Sequence, residues 1–369
     1  MTRATRGGAP TLARLRQHAI ERSLFEPTTL PAAIERLGFV QADPIRAPAR
    51  AQDLTLRHRV RDYRAGELER RYADLPIEED FFVNYGFLPR ATHALMHPRS
   101  ARIEWPPARR AQAEAVLAFV RERGVVHPRE VDARFAHGKS LNWFGGSSNA
   151  STQLLDGMHY RGLLRIARRE GGVRLYAVRP GDDASPDMQS GFDALVDVAV
   201  RKYAPLQARS LAELVYHLRA AVPQWGDARR AALLRAQARL AWTEVDGQRW
   251  YWPADEPLDH AAEVRDEARL LTPFDPVVWD RRRFEAFWGW AYRFEAYTPA
   301  PLRKLGYYAL PLLWRDEVVG WANVAVRGGR LMPEVGFVGP RRSDPAFCQA
   351  LDDELHRLHR FLGLAGTAA

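Results

Sequence analysis

The sequence predicts an α+β fold, mainly α, in which three tandem winged helix-turn-helix units precede a C-terminal β-barrel-like domain. Residues 106–182 and residues 187–258 each show three helical patterns followed by a glycine-turned hairpin pattern, so a unit of about 70 residues recurs. Residues 266–369 change to alternating aromatic and β-branched residues, which is typical of strands. A length of 369 residues is enough for these four units.

The unit at residues 106–182 shows the pattern most clearly. Its first helix stops at Gly124, Pro128 suits the first turn of a second helix, and Asn149 can cap a third. A hairpin then turns at Gly171-Gly172. The apolar faces expected to point inward consist of Ala115, Leu117, Phe119 and Val120 in the first helix and Leu154, Leu155 and Met158 in the third.

The unit at residues 187–258 repeats this order. An amphipathic helix comes first, a second helix begins at a Ser210 cap, and a third follows. Asp246-Gly247 is a turn pair between two apolar stretches and therefore predicts the hairpin.

The two outer units are less regular. Residues 1–105 contain two helical patterns, the second ending at Gly38, and they form the looser first winged-helix unit. Residues 266–369 form the β domain, which a final helix with the sequence DPAFCQALDDELHRLHRFLG closes. Tandem units with a β cap would make an elongated scaffold suited to a duplex.

The composition permits a polyanionic partner but does not establish one. The chain has 54 Lys and Arg against 45 Asp and Glu, a net charge of +9, which can favour phosphate contacts. The single cysteine, Cys348, excludes a disulfide framework and a cysteine zinc cluster. No apolar run approaches the ~18 residues that a membrane span needs, and the N-terminus lacks the apolar core of a signal peptide. We therefore expect a cytoplasmic protein.

The tripeptide Gln41-Ala42-Asp43 could carry chemistry. Pro44 disfavours helical backbone at Asp43, so Gln41 and Asp43 are expected on extended chain with their side chains on one side. A carboxylate beside an amide can hold a water molecule, accept its proton and stabilise a cationic sugar. Taken alone, the tripeptide is also what a surface loop after a helix looks like.

Other common catalytic patterns are absent from the sequence. It contains no phosphate loop, no dinucleotide fingerprint, no HExxH and no GxSxG. His93 and His97 have the i, i+4 spacing of metal ligands, but Pro98 ends that helix and no third ligand is evident. The three lysines, none in an evident apolar pocket, offer little for Schiff-base chemistry. We predict no metal and no cofactor.

Basic residues crowd the hairpin of the second unit. Phosphate contact is a natural use for them, although a solvated arginine face would look the same. These residues are Arg165, Arg168, Arg169 and Arg174. Arg303-Lys304 forms a further basic pair in the β domain. The aromatic residues of that domain are expected to build its core rather than a base-stacking platform; they include Trp279, Trp288, Trp290, Tyr292, Tyr297, Tyr307 and Tyr308.

Three stretches together resemble the winged-helix family of DNA interstrand-crosslink glycosylases, the YcaQ-like proteins. VQADPIRAPARAQDLTLRHRV resembles the family's glutamine-x-aspartate segment with the arginine-containing helix that follows it. DFFVNYGFLP resembles a family aromatic segment that ends in Leu-Pro. The long stretch from LLTPFDPVVWD to RDEVVGW is the most specific part. The resemblance covers most of the chain.

The resemblance implies hydrolysis of the N-glycosidic bond of N7-alkylated or crosslinked guanine in double-stranded DNA. Gln41 would orient the water, and Asp43 would activate it and stabilise the cationic sugar. No metal, nucleotide or lyase lysine would be needed, and we expect a monomer because the units already supply an extended surface. The residues expected to contact DNA are Arg46, Arg50, Arg57, Arg168, Arg169, Arg174, Arg303 and Lys304.

Two departures from the family pattern leave other functions open. Val83-Asn84-Tyr85-Gly86 replaces the usual histidine and acidic residue, and Trp321 and Asn323 stand where the family has arginine and aspartate. These changes would suit a DNA-binding protein without catalysis, such as a regulator or a damage-recognition factor. A protein-interaction scaffold that does not bind nucleic acid is a third possibility.

Overall fold

The computed structural model describes residues 10–100, 103–136, 138–141, 147–181, 187–258 and 264–365. The basic start of the chain, residues 1–9, lies outside these ranges. The described residues form a mixture of helices and small antiparallel sheets. Among their helices, none is long and apolar enough to cross a lipid bilayer.

The first segment folds around a three-stranded sheet in the order β1-β3-β2. Its elements are α1 (Leu12–Ser23), α2 (Leu30–Leu37), β1 (Val40–Gln41), α3 (Ala51–Leu56), α4 (Glu67–Arg71), β2 (Ile77–Phe81), β3 (Tyr85–Pro89) and α5 (Arg90–Ala94). The second helix ends at Gly38, as the sequence predicts, because glycine readily adopts the left-handed conformation found there, with φ of 65°. The chain then turns directly into β1.

The second segment contains the sheet β4-β8-β7. Its elements are α6 (Pro107–Arg123), β4 (Val125–Val126), α7 (Pro128–Phe135), β5 (Lys139–Leu141), β6 (Ser147–Asn149), α8 (Ala150–Tyr160), β7 (Leu164–Glu170) and β8 (Val173–Val178). The cap at Asn149 and the hairpin turn at Gly171-Gly172 are confirmed. The inward residues of α8 are as predicted. In α6, Val120 is buried and Leu117 and Phe119 are half-buried against the core, as predicted, and Ala113 and Val116 complete this face. Ala115 is exposed because the 3.6-residue period turns it away from this face.

The third segment contains the sheet β10-β11-β9. Its elements are α9 (Met188–Tyr203), β9 (Leu206–Gln207), α10 (Ala208–His217), α11 (Arg229–Arg239), β10 (Ala241–Val245) and β11 (Gln248–Trp252). The hairpin turn at Asp246-Gly247 is confirmed. The cap predicted at Ser210 is wrong, because α10 begins two residues earlier at Ala208 and buries Ser210 within its first turn.

The three segments share one strand arrangement. In each, a short strand that follows a helix pairs antiparallel with the second strand of the later hairpin: β1 with β3, β4 with β8, and β9 with β11. The sequence repeat therefore has a structural counterpart, and the first segment shares it despite its looser pattern.

The C-terminal segment is an open sheet rather than the predicted barrel-like domain. Its elements are β12 (Ala268–Leu270), α12 (Pro276–Trp279), α13 (Arg281–Trp288), β13 (Leu310–Trp314), β14 (Glu317–Arg327), β15 (Arg330–Phe337) and α14 (Pro345–Leu362). The four strands have the order β12-β13-β14-β15, so the outer strands do not meet. Side chains of α14 cover the edge strand β12: Glu354 accepts the Leu270 N–H at 2.7 Å, and Arg357 donates to the Ala268 carbonyl at 2.8 Å. Because these hydrogen bonds already occupy backbone groups of the edge strand β12, that strand does not need to pair with β15 to close a barrel.

Buried ion pairs join the first segment to the C-terminal one. Arg59 contacts both carboxylate oxygens of Asp275 at 2.8 and 3.0 Å, with both side chains fully buried. Arg57 is paired with Glu354 of α14 and also donates to the Leu270 carbonyl. These contacts hold the C-terminal segment against α3, a few residues after Asp43.

Candidate active site

Gln41 lies at the end of β1 with its side chain held against the C-terminal segment. It is 5 % exposed, and its amide oxygen accepts a hydrogen bond from Trp279 Nε1 at 3.1 Å. Because the indole uses the oxygen, the amide nitrogen is left as a donor that can orient a small molecule. Trp279 itself is stacked on the buried Tyr203 ring at 4.4 Å, which keeps the indole in place.

The strand that carries Gln41 packs unusually closely against β3. Gln41 stands opposite Gly86, where a Cβ atom would come within 2.3 Å of the Val40 carbonyl oxygen. Only glycine fits there without moving β1. The departure from the family pattern at 83–86 is therefore tied to the position of the candidate catalytic strand.

Asp43 follows β1 and is 9 % exposed. Its Oδ1 accepts the Ile45 N–H at 2.9 Å, and its own N–H donates to the side-chain oxygen of Gln52 at 3.4 Å. Burial raises the pKa of Asp43, although the Ile45 N–H opposes the shift. A carboxylate with a raised pKa binds a proton more readily, which suits a general base.

Tyrosines of the C-terminal segment lie near this carboxylate. Burial and then the charge of Asp43 raise the pKa of Tyr297. The pKa of Tyr308 is raised by burial, to which the Asp43 charge adds. Gln41 thus contacts the C-terminal segment through Trp279, and Asp43 is close enough to Tyr297 and Tyr308 for its charge to raise the pKa of both.

Several of the predicted DNA-contacting arginines form one cluster where the β7–β8 hairpin meets the first segment. Arg46 is exposed, and burial, followed by the charges of Arg46 and Arg169, lowers the pKa of Arg50. The tip of the β7–β8 hairpin reaches Arg50, since a Cβ atom at Gly172 would lie 3.7 Å from its guanidinium. Arg174 joins the cluster, where it lies over the Tyr85 ring.

The same arginines are also paired with carboxylates. Arg169 and Arg174 both contact the buried Glu79 of β2, and Arg50 is paired with Glu69. These pairs dock the hairpin of the second segment on the first. Arg174 also contacts Asp156 at 3.3 Å, so the four guanidinium groups face three ion-paired carboxylates, and Arg46 is the exposed member of the cluster.

The remaining predicted contacts differ in their surroundings. Arg168 is exposed on the same hairpin beside Glu170, and Lys304 is exposed on the C-terminal segment. Arg303 donates to the Thr298 carbonyl at 2.8 Å. Arg57 is 3 % exposed and engaged with Glu354, so we assign it to the contact between segments rather than to DNA.

Trp321 and Asn323, the second departure from the family pattern, contact the loop that contains Tyr297 and Tyr308. The side chains of Trp321 and Asn323 both donate to the Leu305 carbonyl, at 3.1 and 2.6 Å. Asn323 also fills the space beside Gly306, where a Cβ atom would lie 2.4 Å from its amide nitrogen. These residues therefore hold the loop that contains the tyrosines near Asp43.

A second cluster consists of Asp80, His93 and His97, and Asp80 is the third metal-ligand candidate that no sequence spacing indicated. The Nε2 atoms of His93 and His97 lie 3.1 and 3.3 Å from Asp80 Oδ2, and 3.2 Å from each other. These three atoms could surround a small cation. Arg99 contacts both carboxylate oxygens of Asp80 at 3.0 and 3.1 Å and so compensates its charge. We therefore assign the cluster to stability.

Lys202 contradicts the expectation that no lysine occupies an apolar pocket. It is buried, with its Nζ near the rings of Phe39 and Tyr203 and donating to the Phe39 carbonyl. Burial, with the charge of Arg59, lowers the pKa of Lys202 to about 7. Its buried amine holds the chain just before β1.

The chain is similar to a described family and to a solved structure of a DNA glycosylase. A family model described as DNA glycosylase AlkZ-like matches residues 34–361. The solved structure of the Streptomyces sahachiroi DNA glycosylase AlkZ superimposes with a TM-score of 0.61 at 17% sequence identity, over 98% of this chain and 99% of that chain. At this identity the structural likeness shows a shared fold.

Proposed function

The chain belongs to the DNA glycosylase AlkZ-like family, and we propose that it is a monofunctional DNA glycosylase that hydrolyses the N-glycosidic bond of N7-alkylated or crosslinked guanine. The observation that carries the proposal is the nearly buried pair of Gln41 and Asp43, in which Gln41 is hydrogen-bonded to Trp279 of the C-terminal segment. The arginine cluster begins three residues after Asp43, at the exposed Arg46, and arginines so placed suit contacts with a DNA backbone.

We propose further that the three repeated segments are winged helices that bind one duplex. Their shared order of helices and antiparallel strands supports this reading. Phosphate contacts would come from the arginine cluster, from Arg168 and from the Arg303-Lys304 pair. The partner would be double-stranded DNA that carries an alkylated or crosslinked guanine. A monomeric, cytoplasmic protein remains the prediction.

In the proposed reaction Asp43 accepts a proton from a water molecule that the Gln41 amide nitrogen helps to orient. The water oxygen bonds to C1′ of the sugar while the bond from C1′ to the base nitrogen breaks. The electron pair of that bond goes to the base, which is already cationic when alkylated at N7 and so leaves neutral without a strong acid. The Asp43 charge stabilises the cationic sugar as it develops.

The raised pKa of Asp43 makes the pH dependence a test. A general base works only when ionised, so base release falls as the pH drops through its pKa. Because burial raises that pKa, we expect the acidic limb of the rate profile at a higher pH than for an ordinary aspartate. Single-turnover release would be measured across the acidic range, with spontaneous depurination subtracted. A limb at or below the ordinary aspartate range would argue against Asp43 as the base.

The main alternative is a DNA-binding protein without catalysis, which the departure at 83–86 favours. Purified protein would be incubated with methylated DNA and with the same DNA left undamaged, and free bases would be separated by chromatography. The proposal expects N7-methylguanine from the methylated DNA only. Tight binding to one undamaged sequence without any base release would support a regulator instead.

A further inference from the structure

Two tyrosines in the segment between α13 and β13 project into solvent. Tyr297 is 80 % exposed and Tyr307 is 45 % exposed, whereas Tyr292 and Tyr308 of the same segment are buried. The expectation of an aromatic core therefore suits only part of the segment. Removing an exposed ring costs the protein little stability, so Tyr297 and Tyr307 can each be substituted without unfolding the protein.

The exposed rings are carried by a tightly bonded loop. The carboxylate of Glu295 accepts the backbone N–H groups of Lys304, Leu305 and Gly306, at 2.9, 2.7 and 3.3 Å. Burial opposes the charge on Glu295, but these three donors hold its pKa below its ordinary value. These bonds close the loop, which includes a short 3-10 helix at Ala300–Leu302, and they place the tyrosines in defined positions.

Ring contacts connect Tyr297 to the stretch of chain that binds Gln41. Tyr297 is near enough to Asp43 to feel its charge, and it rests edge-on against Phe294 at 6.1 Å between centroids. Phe294 in turn packs edge-on against Phe274 at 5.3 Å between centroids, in the stretch that leads to Trp279, the hydrogen-bond partner of Gln41. Arg303 lies over the Tyr307 ring at 4.9 Å.

We propose that Tyr297 and Tyr307 form a stacking platform for the alkylated purine whose bond is cleaved at Asp43. A purine alkylated at N7 is flat and cationic, and a tyrosine ring attracts such a group through both stacking and the cation–π interaction. Undamaged guanine lacks the charge, so the platform favours the lesion over normal DNA. The inference rests on the proposed function for the place of the lesion and adds the residues that select it.

The test measures lesion binding separately from cleavage. A duplex with one N7-methylguanine on a 2′-fluoroarabinose sugar, which resists hydrolysis, is compared with the undamaged duplex by fluorescence anisotropy. We expect Tyr297→Ala to weaken binding of the lesion duplex by about 5- to 100-fold. The variant should bind the undamaged duplex like the wild type, and Tyr297→Phe should keep the preference. Tyr307→Ala should give a smaller loss, because the Tyr307 ring is the less exposed of the two.

Leu302 provides the matched control. It is 67 % exposed in the same loop but aliphatic, so Leu302→Ala removes apolar area without removing a ring and should leave the preference intact. Equal lesion preference in the wild type and Tyr297→Ala, or no preference in the wild type, would overturn the platform. Failure of the wild type to cleave an ordinary N7-methylguanine would instead overturn the proposed function.

Discussion

Replacing Asp43 by asparagine is expected to lower the rate of base release by about 10²- to 10⁴-fold, the usual contribution of a general base. Asparagine keeps the size of the side chain and an oxygen that can accept the Ile45 N–H. It removes the proton acceptor and the charge that would stabilise the sugar cation. The rate would be measured under single-turnover conditions on alkylated duplex, and binding of the same duplex should change little.

The matched control is Asp352→Asn on α14, an exposed carboxylate. This variant should release base at the wild-type rate. If Asp43→Asn retains the wild-type rate, the water must be activated elsewhere. If the variant instead loses duplex binding in parallel with the rate, Asp43 contributes to binding rather than to the chemical step.

The second large effect is expected at Arg99. Its guanidinium contacts both oxygens of Asp80, and it also donates to the carbonyls of Tyr160 at 2.8 Å and Ala221 at 2.7 Å. It therefore joins the first three segments at one buried point. Arg99→Met removes the guanidinium that pairs with both oxygens of the buried Asp80 carboxylate and leaves it only its two histidine contacts, so the free energy of unfolding should fall by about 3–5 kcal/mol in chemical denaturation at neutral pH.

The pH dependence of this loss distinguishes the charge from packing. Burial would raise the pKa of Asp80, but Arg99 and the two histidines hold it well below the ordinary value. The stability from a depressed pKa is present above the ordinary pKa of aspartate and is lost as the pH falls through the folded-state value. The difference between wild type and Arg99→Met should therefore narrow in acid. Arg168→Met, at an exposed pair, should cost no more than about 1 kcal/mol; an equal loss at both positions would contradict the account.

The two hairpins could be predicted because their turns require a particular backbone. Gly171, Gly172 and Gly247 all have positive φ, of 56°, 87° and 68°, which glycine adopts without strain. The openness of the C-terminal sheet could not be predicted in the same way. Alternating residues indicate strands but not which edges meet, and β12 is covered by Glu354 and Arg357 from a distant helix.

Only part of the candidate site could be predicted from the sequence. Gln41 and Asp43 stood out through the family resemblance, whereas the partner of Gln41, Trp279, lies 238 positions away and follows no local pattern. Arg57 belongs to a basic stretch, yet folding buries it against Glu354. The place of Asp80 in the histidine cluster could not be predicted, because no spacing rule links a carboxylate in a strand to His93 and His97. Such contacts depend on tertiary packing rather than on neighbours in the chain.

The most direct measurement follows one defined lesion through the reaction. A duplex with a single N7-methylguanine on its natural sugar would be incubated with excess wild-type protein, and both strands and the free base would be weighed by mass spectrometry. A monofunctional glycosylase is expected to give free N7-methylguanine and an abasic strand whose backbone is intact until alkali is added. A bound lesion strand of unchanged mass, or a backbone broken without alkali, would contradict a monofunctional glycosylase.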